Sequence, residues 1–183
     1  MKNVLVISSS LRNGSNSEKL ALEFVRGAKV NNNVDYVSLK GKNIKYCIGC
    51  LFCQKTGKCV LKDDMKEIIK LARKADILVF ASPVYYYGMS GLMKTLLDRL
   101  NPLYNSEHNF KEVYLILTAA ENAINTFDKA IDNFKGFVEC FDDVRIVKSI
   151  TCGGLIDANE VNKNQNYLIN AYSIGESIKW VVS

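Results

Sequence analysis

Hydrophobic positions along the chain alternate between two spacings. Short apolar-rich runs predict five strands: Val4-Leu5-Val6-Ile7, Val34 to Leu39, Ile77-Leu78-Val79-Phe80-Ala81, Val113 to Thr118 and Val144 to Thr151. The uninterrupted runs carry the pattern of strands covered on both faces. Between them the apolar spacing becomes helical. Ser17 to Ala28 sets Leu20, Phe24 and Ala28 on one face, and a helix capped by Asp63 or Asp64 aligns Met65, Ile68, Ile69, Leu71 and Ala72. A helix ending near Leu100 carries Leu92, Met93, Leu96 and Leu97; Ala123 to Cys140 carries Ile124, Phe127, Ile131, Phe134 and Val138; Glu160 to Val181 closes the chain. Residues 40–62 read as irregular.

Strands alternating with helices predict an α/β fold, a doubly wound five-stranded parallel sheet with helices on both faces, because right-handed crossovers place them there. The strand order that fits is 2-1-3-4-5, in which ligands bind beyond the carboxyl ends of the strands, where strands one and three diverge. That directs attention to two loops, Ser8 to Ser17 and Ser82 to Gly88. No repeat or linker interrupts the pattern, so residues 1–183 are expected to form one domain with a cysteine-rich insertion at about 41–62.

Composition narrows the class. At 48% hydrophobic and 23% charged, with two prolines, the chain has the make-up of a soluble globular protein. It has no apolar run long enough for a membrane span, and Met1-Lys2-Asn3 leads into a strand rather than a signal segment, so a cytoplasmic protein without a membrane partner is expected. The 24 Lys and Arg exceed the 19 Asp and Glu but are spread along the sequence, which argues against a nucleic-acid partner. Their summed field favours anionic small molecules such as phosphates and nucleotides.

The first loop, Ser8-Ser9-Ser10-Leu11-Arg12-Asn13-Gly14-Ser15-Asn16-Ser17, supplies hydroxyls, a guanidinium and the N–H groups of a helix start, a set suited to a terminal phosphate. With one glycine and no Gly-Lys-Ser/Thr, it is neither a dinucleotide fingerprint nor a Walker loop. After strand three comes Ser82-Pro83-Val84-Tyr85-Tyr86-Tyr87-Gly88, a stiffened turn whose aromatics suit the border of a flat heterocycle.

These loops resemble the NADPH-dependent FMN reductase branch of the flavodoxin-like superfamily. Its first loop reads roughly Gly-Ser-x-Arg-x-x-Ser-Asn-Ser/Thr, matched from Ser9 to Ser17 with Ser9 in place of the usual glycine. Ser-Pro-x-Tyr is matched at Ser82 to Tyr85, and Ser90-Gly91-Leu92-Met93-Lys94-Thr95-Leu96-Leu97-Asp98-Arg99 continues the similarity. The resemblance implies noncovalent FMN, with Ser10, Arg12, Ser15, Asn16 and Ser17 at the phosphate and Pro83, Val84, Tyr85, Tyr86 and Gly88 at the ring. Thr118 and Ala119, in the stretch Thr118-Ala119-Ala120-Glu121, are expected as a third contact. It also implies a homodimer or homotetramer. Tyr87 is as well suited to a rim or dimer contact as to the flavin, and Lys94, Asp98 and Arg99 suit ion pairs.

Cys47, Cys50, Cys53 and Cys59 give the spacing Cys-x2-Cys-x2-Cys-x5-Cys. Three cysteines at such intervals suit a turn wrapped around a 4Fe-4S cluster, whereas structural zinc usually takes pairs divided by a longer spacer. The segment resembles the compact motif of iron–sulfur flavoproteins. Cluster, zinc and plain thiols all remain open readings. Cys140 and Cys152 read as packing residues.

The sole histidine, His108, in a polar connection beginning at Asn105, leaves little basis for a hydrolase or a histidine metal site. Flavin chemistry needs no obligatory side-chain acid, so no catalytic side chain is assigned. The expectation is an FMN-dependent oxidoreductase, with NAD(P)H as cosubstrate and a small-molecule acceptor such as a quinone, azo compound or flavin. The alternatives are an iron–sulfur flavoprotein passing electrons to or from a ferredoxin-like partner, and a nonenzymatic redox-sensing thiol or metal module.

Overall fold

The computed structural model describes residues 1–104 and 106–179. Its strands are β1 (Asn3–Ser8), β2 (Asn33–Ser38), β3 (Ile77–Tyr85), β4 (Gly88–Met89), β5 (Glu112–Thr118) and β6 (Arg145–Cys152). Its helices are α1 (Asn16–Ala28), α2 (Phe52–Thr56), α3 (Met65–Lys74), α4 (Gly91–Arg99), α5 (Asp128–Val138) and α6 (Gln165–Glu176), with 3-10 turns at Asn101–Leu103 and Glu160–Lys163. Parallel strands run in the order β2-β1-β3-β5-β6, and β4 pairs antiparallel with the end of β3. Leaving aside that hairpin strand, this is the expected 2-1-3-4-5 order.

The central strands are the continuous apolar runs: β1, β3 and β5 are buried over nearly their whole length, while β2 and β6 form the edges and alternate. One face of the sheet packs Leu5, Leu78, Phe80 and Leu115 against α3, α4 and α5. The other packs Val4, Val6, Val79 and Ile116 against α1 and α6. On that face the helices meet backbone to backbone. A Cβ on Gly27 would lie 2.0 Å from the Tyr172 carbonyl oxygen, and one on Gly175 would lie 2.2 Å from that of Phe24.

Besides the β4 hairpin and the short helix α2, which falls within the stretch read as irregular, three elements depart from expectation. β3 runs on through Ser82 and Pro83 to Tyr85, because Ser82 and Pro83 still pair with β5. The fifth helix begins at Asp128 rather than Ala123, leaving Ile124 fully exposed. The closing helix is broken at Asn164, whose side chain caps α6 by accepting from the Asn166 N–H; its expected end at Val181 lies outside the described residues. Among the described residues no helix is long and apolar enough to cross a membrane.

Candidate functional site

At the carboxyl end of the sheet a cavity of about 270 Å³ is lined by Ser10, Arg12, Ser15 and Asn16 from the first loop, Pro83, Val84 and Tyr85 from the end of β3, and Thr118, Ala119 and Ala120 after β5. Leu155 and Ile156, after β6, complete it. Residues from four segments thus meet at the predicted switch point.

The first loop is built to start a helix. Ser15 caps α1, its hydroxyl accepting from the Glu18 N–H at 3.3 Å. The N–H groups of Asn16 and Ser17 begin the first turn, where no intrahelical carbonyl precedes them, so they are free for an anion. Gly14 takes a left-handed conformation (φ +68°), and a Cβ there would collide with the Asn159 side chain at 2.6 Å. Ser9 has no such need. Its backbone is not left-handed, and its hydroxyl donates to the Ala81 carbonyl or pairs with Ser90 Oγ at 2.8 Å. Ser82 Oγ in turn accepts from the Ser90 N–H at 3.0 Å, so these serines fasten the first loop to the second.

Some predicted residues have other duties. Asn16 lines the cavity, but its amide holds the opposite wall: Nδ2 donates to the Asp157 carbonyl at 2.8 Å and Oδ1 accepts from Val161 N–H at 3.0 Å. Arg12 also reaches across, Nη1 donating to the Ile156 carbonyl at 2.6 Å and leaving its other donors to a ligand. Ser17 is buried outside the lining, its hydroxyl paired with Ser15 Oγ at 3.1 Å. Tyr86 and Gly88 also fall outside it. Tyr86 and Tyr87 are the two turn residues of the β3–β4 hairpin, both with positive φ, which swings Tyr86 into solvent and pairs Gly88 with Tyr85. Tyr87 bonds Glu121, which raises its pKa, and lies under Lys129 Nζ at 5.4 Å.

Sequence reasoning passed over Leu155 and Ile156, whose types carry no ligand signal. Their position just beyond a carboxyl strand end was the available clue. The Leu155 N–H donates to the Ala119 carbonyl at 2.9 Å, closing the wall. Among the described residues Arg12 and Tyr85 are the ionisable members of the lining, with no carboxylate or imidazole side chain beside them.

The cysteines do not converge. No group of three or more Cys, His, Asp or Glu residues poised for a metal occurs among the described residues. Cys47 opens onto a cavity of about 450 Å³ shared with Cys140, while Cys59 lines a different cavity beside α3. Cys53 Sγ accepts from Asn101 Nδ2 at 3.1 Å, and Cys59 Sγ from Arg99 Nη2 at 3.5 Å. In this arrangement the four thiols do not fit a cluster, because the loop turns them toward different neighbours. Cys140 is exposed rather than packed, whereas Cys152 is buried, its thiol pushed up to about 12 by burial. Lys94 pairs with Asp98 at 2.6 Å, but Arg99 is buried and forms its ion pair with Asp63.

A doubly wound sheet of this order, with a hydroxyl-rich helix start at the switch point, defines a flavodoxin-like protein. The chain matches the NADPH-dependent FMN reductase family over residues 2–137, and it belongs to that family. It is 39% identical over 101 residues to an iron–sulfur flavoprotein of Methanocaldococcus jannaschii, a match covering 55% of this chain and 52% of that one. The chain spans about half the length of the curated relatives it matches first. In fold it is similar to an NAD(P)H:quinone oxidoreductase from Methanothermobacter marburgensis (TM-score 0.73, 15% identity, 96% of each chain covered). It is likewise similar to an FMN-dependent NADH-azoreductase from Bacillus anthracis in complex with FMN (TM-score 0.67, 15% identity, 96% of each chain covered).

Proposed function

We propose that this chain binds FMN at the carboxyl edge of its sheet and acts as an NAD(P)H-dependent oxidoreductase, passing electrons to a small acceptor such as a quinone, azo compound or flavin. The observation that carries the reading is the cavity itself, in which a helix start, Arg12 and the Ser10 and Ser15 hydroxyls face the ends of β3 and β5. Those groups fit a phosphate. Pro83 to Tyr85 and Thr118 to Ala120 offer backbone and one aromatic to a planar ring. When bound, FMN supplies the capacity to accept hydride from a nicotinamide and return electrons to the acceptor. The chain's residues bind and orient it: Arg12 counters phosphate charge, Ser15 holds the helix start, and Asn16 fixes the wall that carries Leu155 and Ile156.

Tyr85 and Ile156 of the lining are exposed, as are Leu11 and Tyr86 beside lining residues in the chain. Such exposed surface supports a homodimer or homotetramer in which a second copy covers the site. The expected setting is cytoplasmic.

The test is direct. Purified protein is expected to retain or take up FMN and to oxidise NAD(P)H steadily with a quinone or azo acceptor. Arg12→Ala should weaken FMN by about 10- to 100-fold, through loss of charge-assisted bonds, and leave riboflavin binding unchanged. Protein that binds no FMN sinks the proposal.

A second reading is supported by the cysteine spacing and by the name of the Methanocaldococcus relative. In it the chain holds a 4Fe-4S cluster on Cys47, Cys50, Cys53 and Cys59 and exchanges electrons with a ferredoxin-like partner. It requires residues 47–59 to rearrange, and no residue from 40 to 62 is buried to oppose that. Anaerobic protein would then contain iron and acid-labile sulfide, and all four thiols would resist alkylation. Rapid labelling of Cys47 and Cys50 in iron-free protein would instead favour plain thiols, the redox-sensing alternative.

A further inference from the structure

Seven basic residues that recur through residues 55–74 are turned toward one cavity by the fold. A cavity of about 970 Å³ between residues 54–63 and α3 is lined by Lys55, Lys58, Lys62, Lys66, Lys70, Lys74 and Arg73. Seven of the chain's 24 Lys and Arg meet there, against one of its 19 Asp and Glu, Asp63. The remaining 17 basic and 18 acidic residues nearly cancel, so the net charge of +5 resides at this one place.

Asp63 does not offset it. Its side chain is wholly buried and its carboxylate is paired with Arg99 at 2.6 Å. Arg73 is a seam in the wall, donating to Ser106 Oγ and to the Glu107 and Gly57 carbonyls. Lys70 lies 3.7 Å from Glu67. All six lysines are exposed, and Leu61 and Ile69 line the cavity with apolar surface.

We propose that this cavity is a second binding site, separate from the flavin pocket, for a nucleotide-sized polyanion: several phosphates on the lysines and a ring system against Leu61 and Ile69. Its volume lies at the upper end of the roughly 300–1,000 Å³ usual for small-molecule sites. Among the described residues no aromatic lines it, so it lacks the stacking platforms of a single-stranded nucleic-acid groove. Charges ringing a cavity focus the field on a small occupant rather than on the face of a protein. Because Cys59 and Gly57 belong to the wall, an occupant also holds the cysteine segment against α3.

Titration calorimetry with ATP, pyrophosphate and a short single-stranded oligonucleotide, each with and without saturating FMN, tests this. The expected result is saturable one-to-one ATP binding that FMN does not displace, tighter than pyrophosphate, weakening steeply with salt. ATP should also slow alkylation of Cys59. The double substitution Lys62→Glu and Lys66→Glu should weaken ATP about tenfold or more while circular dichroism stays unchanged, and Lys62→Arg with Lys66→Arg should restore binding. Four results each overturn the proposal: no saturable ATP binding, displacement by FMN, indifference to the charge reversals, or tighter binding of the oligonucleotide. Pyrophosphate binding as tightly as ATP overturns the nucleotide class. Only the FMN arm draws on the flavin assignment; the ATP, pyrophosphate and charge-reversal measurements run without FMN, so failure of that assignment is separately visible.

Discussion

Val161 donates its backbone N–H to Asn16 Oδ1 at 3.0 Å, joining the start of α1 to a segment 145 positions away. The same amide holds the Asp157 carbonyl from its other end. Asn16→Ala therefore leaves the buried N–H of Val161 without an acceptor and should cost about 1–3 kcal/mol in urea unfolding of the FMN-free protein. FMN should also dissociate faster, because the wall carrying Leu155 and Ile156 loses its anchor. Unchanged unfolding and unchanged FMN release would remove Asn16 from this role.

Arg99 and Asp63 form a buried pair that also fastens the ends of the cysteine segment, since Arg99 donates to the Lys45 carbonyl at 2.6 Å. Arg99→Met strands a buried carboxylate and should cost about 3–5 kcal/mol, and adding Asp63→Leu should recover much of it. Burial pushes the Asp63 carboxyl up, but hydrogen bonds from Arg99 and from the Lys45 and Met65 N–H groups outweigh this and hold it below the ordinary 3.8. The pair's contribution is thus complete above that value and is lost as pH falls below it. Chemical unfolding of wild type and Asp63→Asn down to acid pH checks the sign: wild type should lose more.

His108 gives a separate acid limb at higher pH. Its ring stacks on Phe110 at 4.0 Å, and its buried Nδ1 meets no hydrogen-bond partner among the described residues. Burial, then the positive charges of Lys111 and Arg73, outweigh an opposing contribution from the Phe110 backbone and lower its pKa from the usual 6.5. The unfolded chain therefore takes up a proton first. Stability is full above 6.5 and declines as pH falls toward the folded value. As this is the only histidine, His108→Gln should flatten stability between about pH 7 and pH 5. A slope that persists in the variant would assign it elsewhere.

The Tyr86–Tyr87 turn stores backbone strain. Both residues are left-handed (φ 49° and 63°), a conformation costing about 1–2 kcal/mol for an ordinary side chain. Replacing them with Asn and Gly should raise the melting temperature, by an amount equivalent to about 1 kcal/mol or more. If the tyrosines cover the flavin or a second copy, the stabilised variant should bind that partner less well. A variant no more stable than wild type would show that the ring contacts of Tyr87 already compensate the strain.

The same turn shows where the sequence was legible and where it was not. Val4 to Ile7, Ile77 to Ala81 and Val113 to Thr118 declared themselves as central strands because every position is buried, and side-chain type reports burial directly. The hairpin was missed because Tyr-Tyr lacks the Asn-Gly signal such turns normally carry. Ser10, Arg12, Ser15 and Pro83 to Tyr85 were placed at one cavity because strand order fixes which loops meet. The duty of Asn16 was not readable, since its partners are backbone atoms beyond β6. Lys55, Lys58, Lys62, Lys66, Lys70 and Lys74 recur every three or four residues, a regularity in plain view. Most of that stretch before α3 is not helical, so their convergence comes from the fold.

No residue from 40 to 62 is fully buried and α2 buries none of its own, although Ile44 and Cys59 pack against the core from outside. The segment is consequently laid over the scaffold and held by contacts that include those two side chains and the Arg99 donors to the Lys45 carbonyl and the Cys59 thiol. Beyond those contacts its exposed thiols and its lysines lie outside the packing of the sheet, so metal or anion chemistry here is free to evolve independently of the flavin fold.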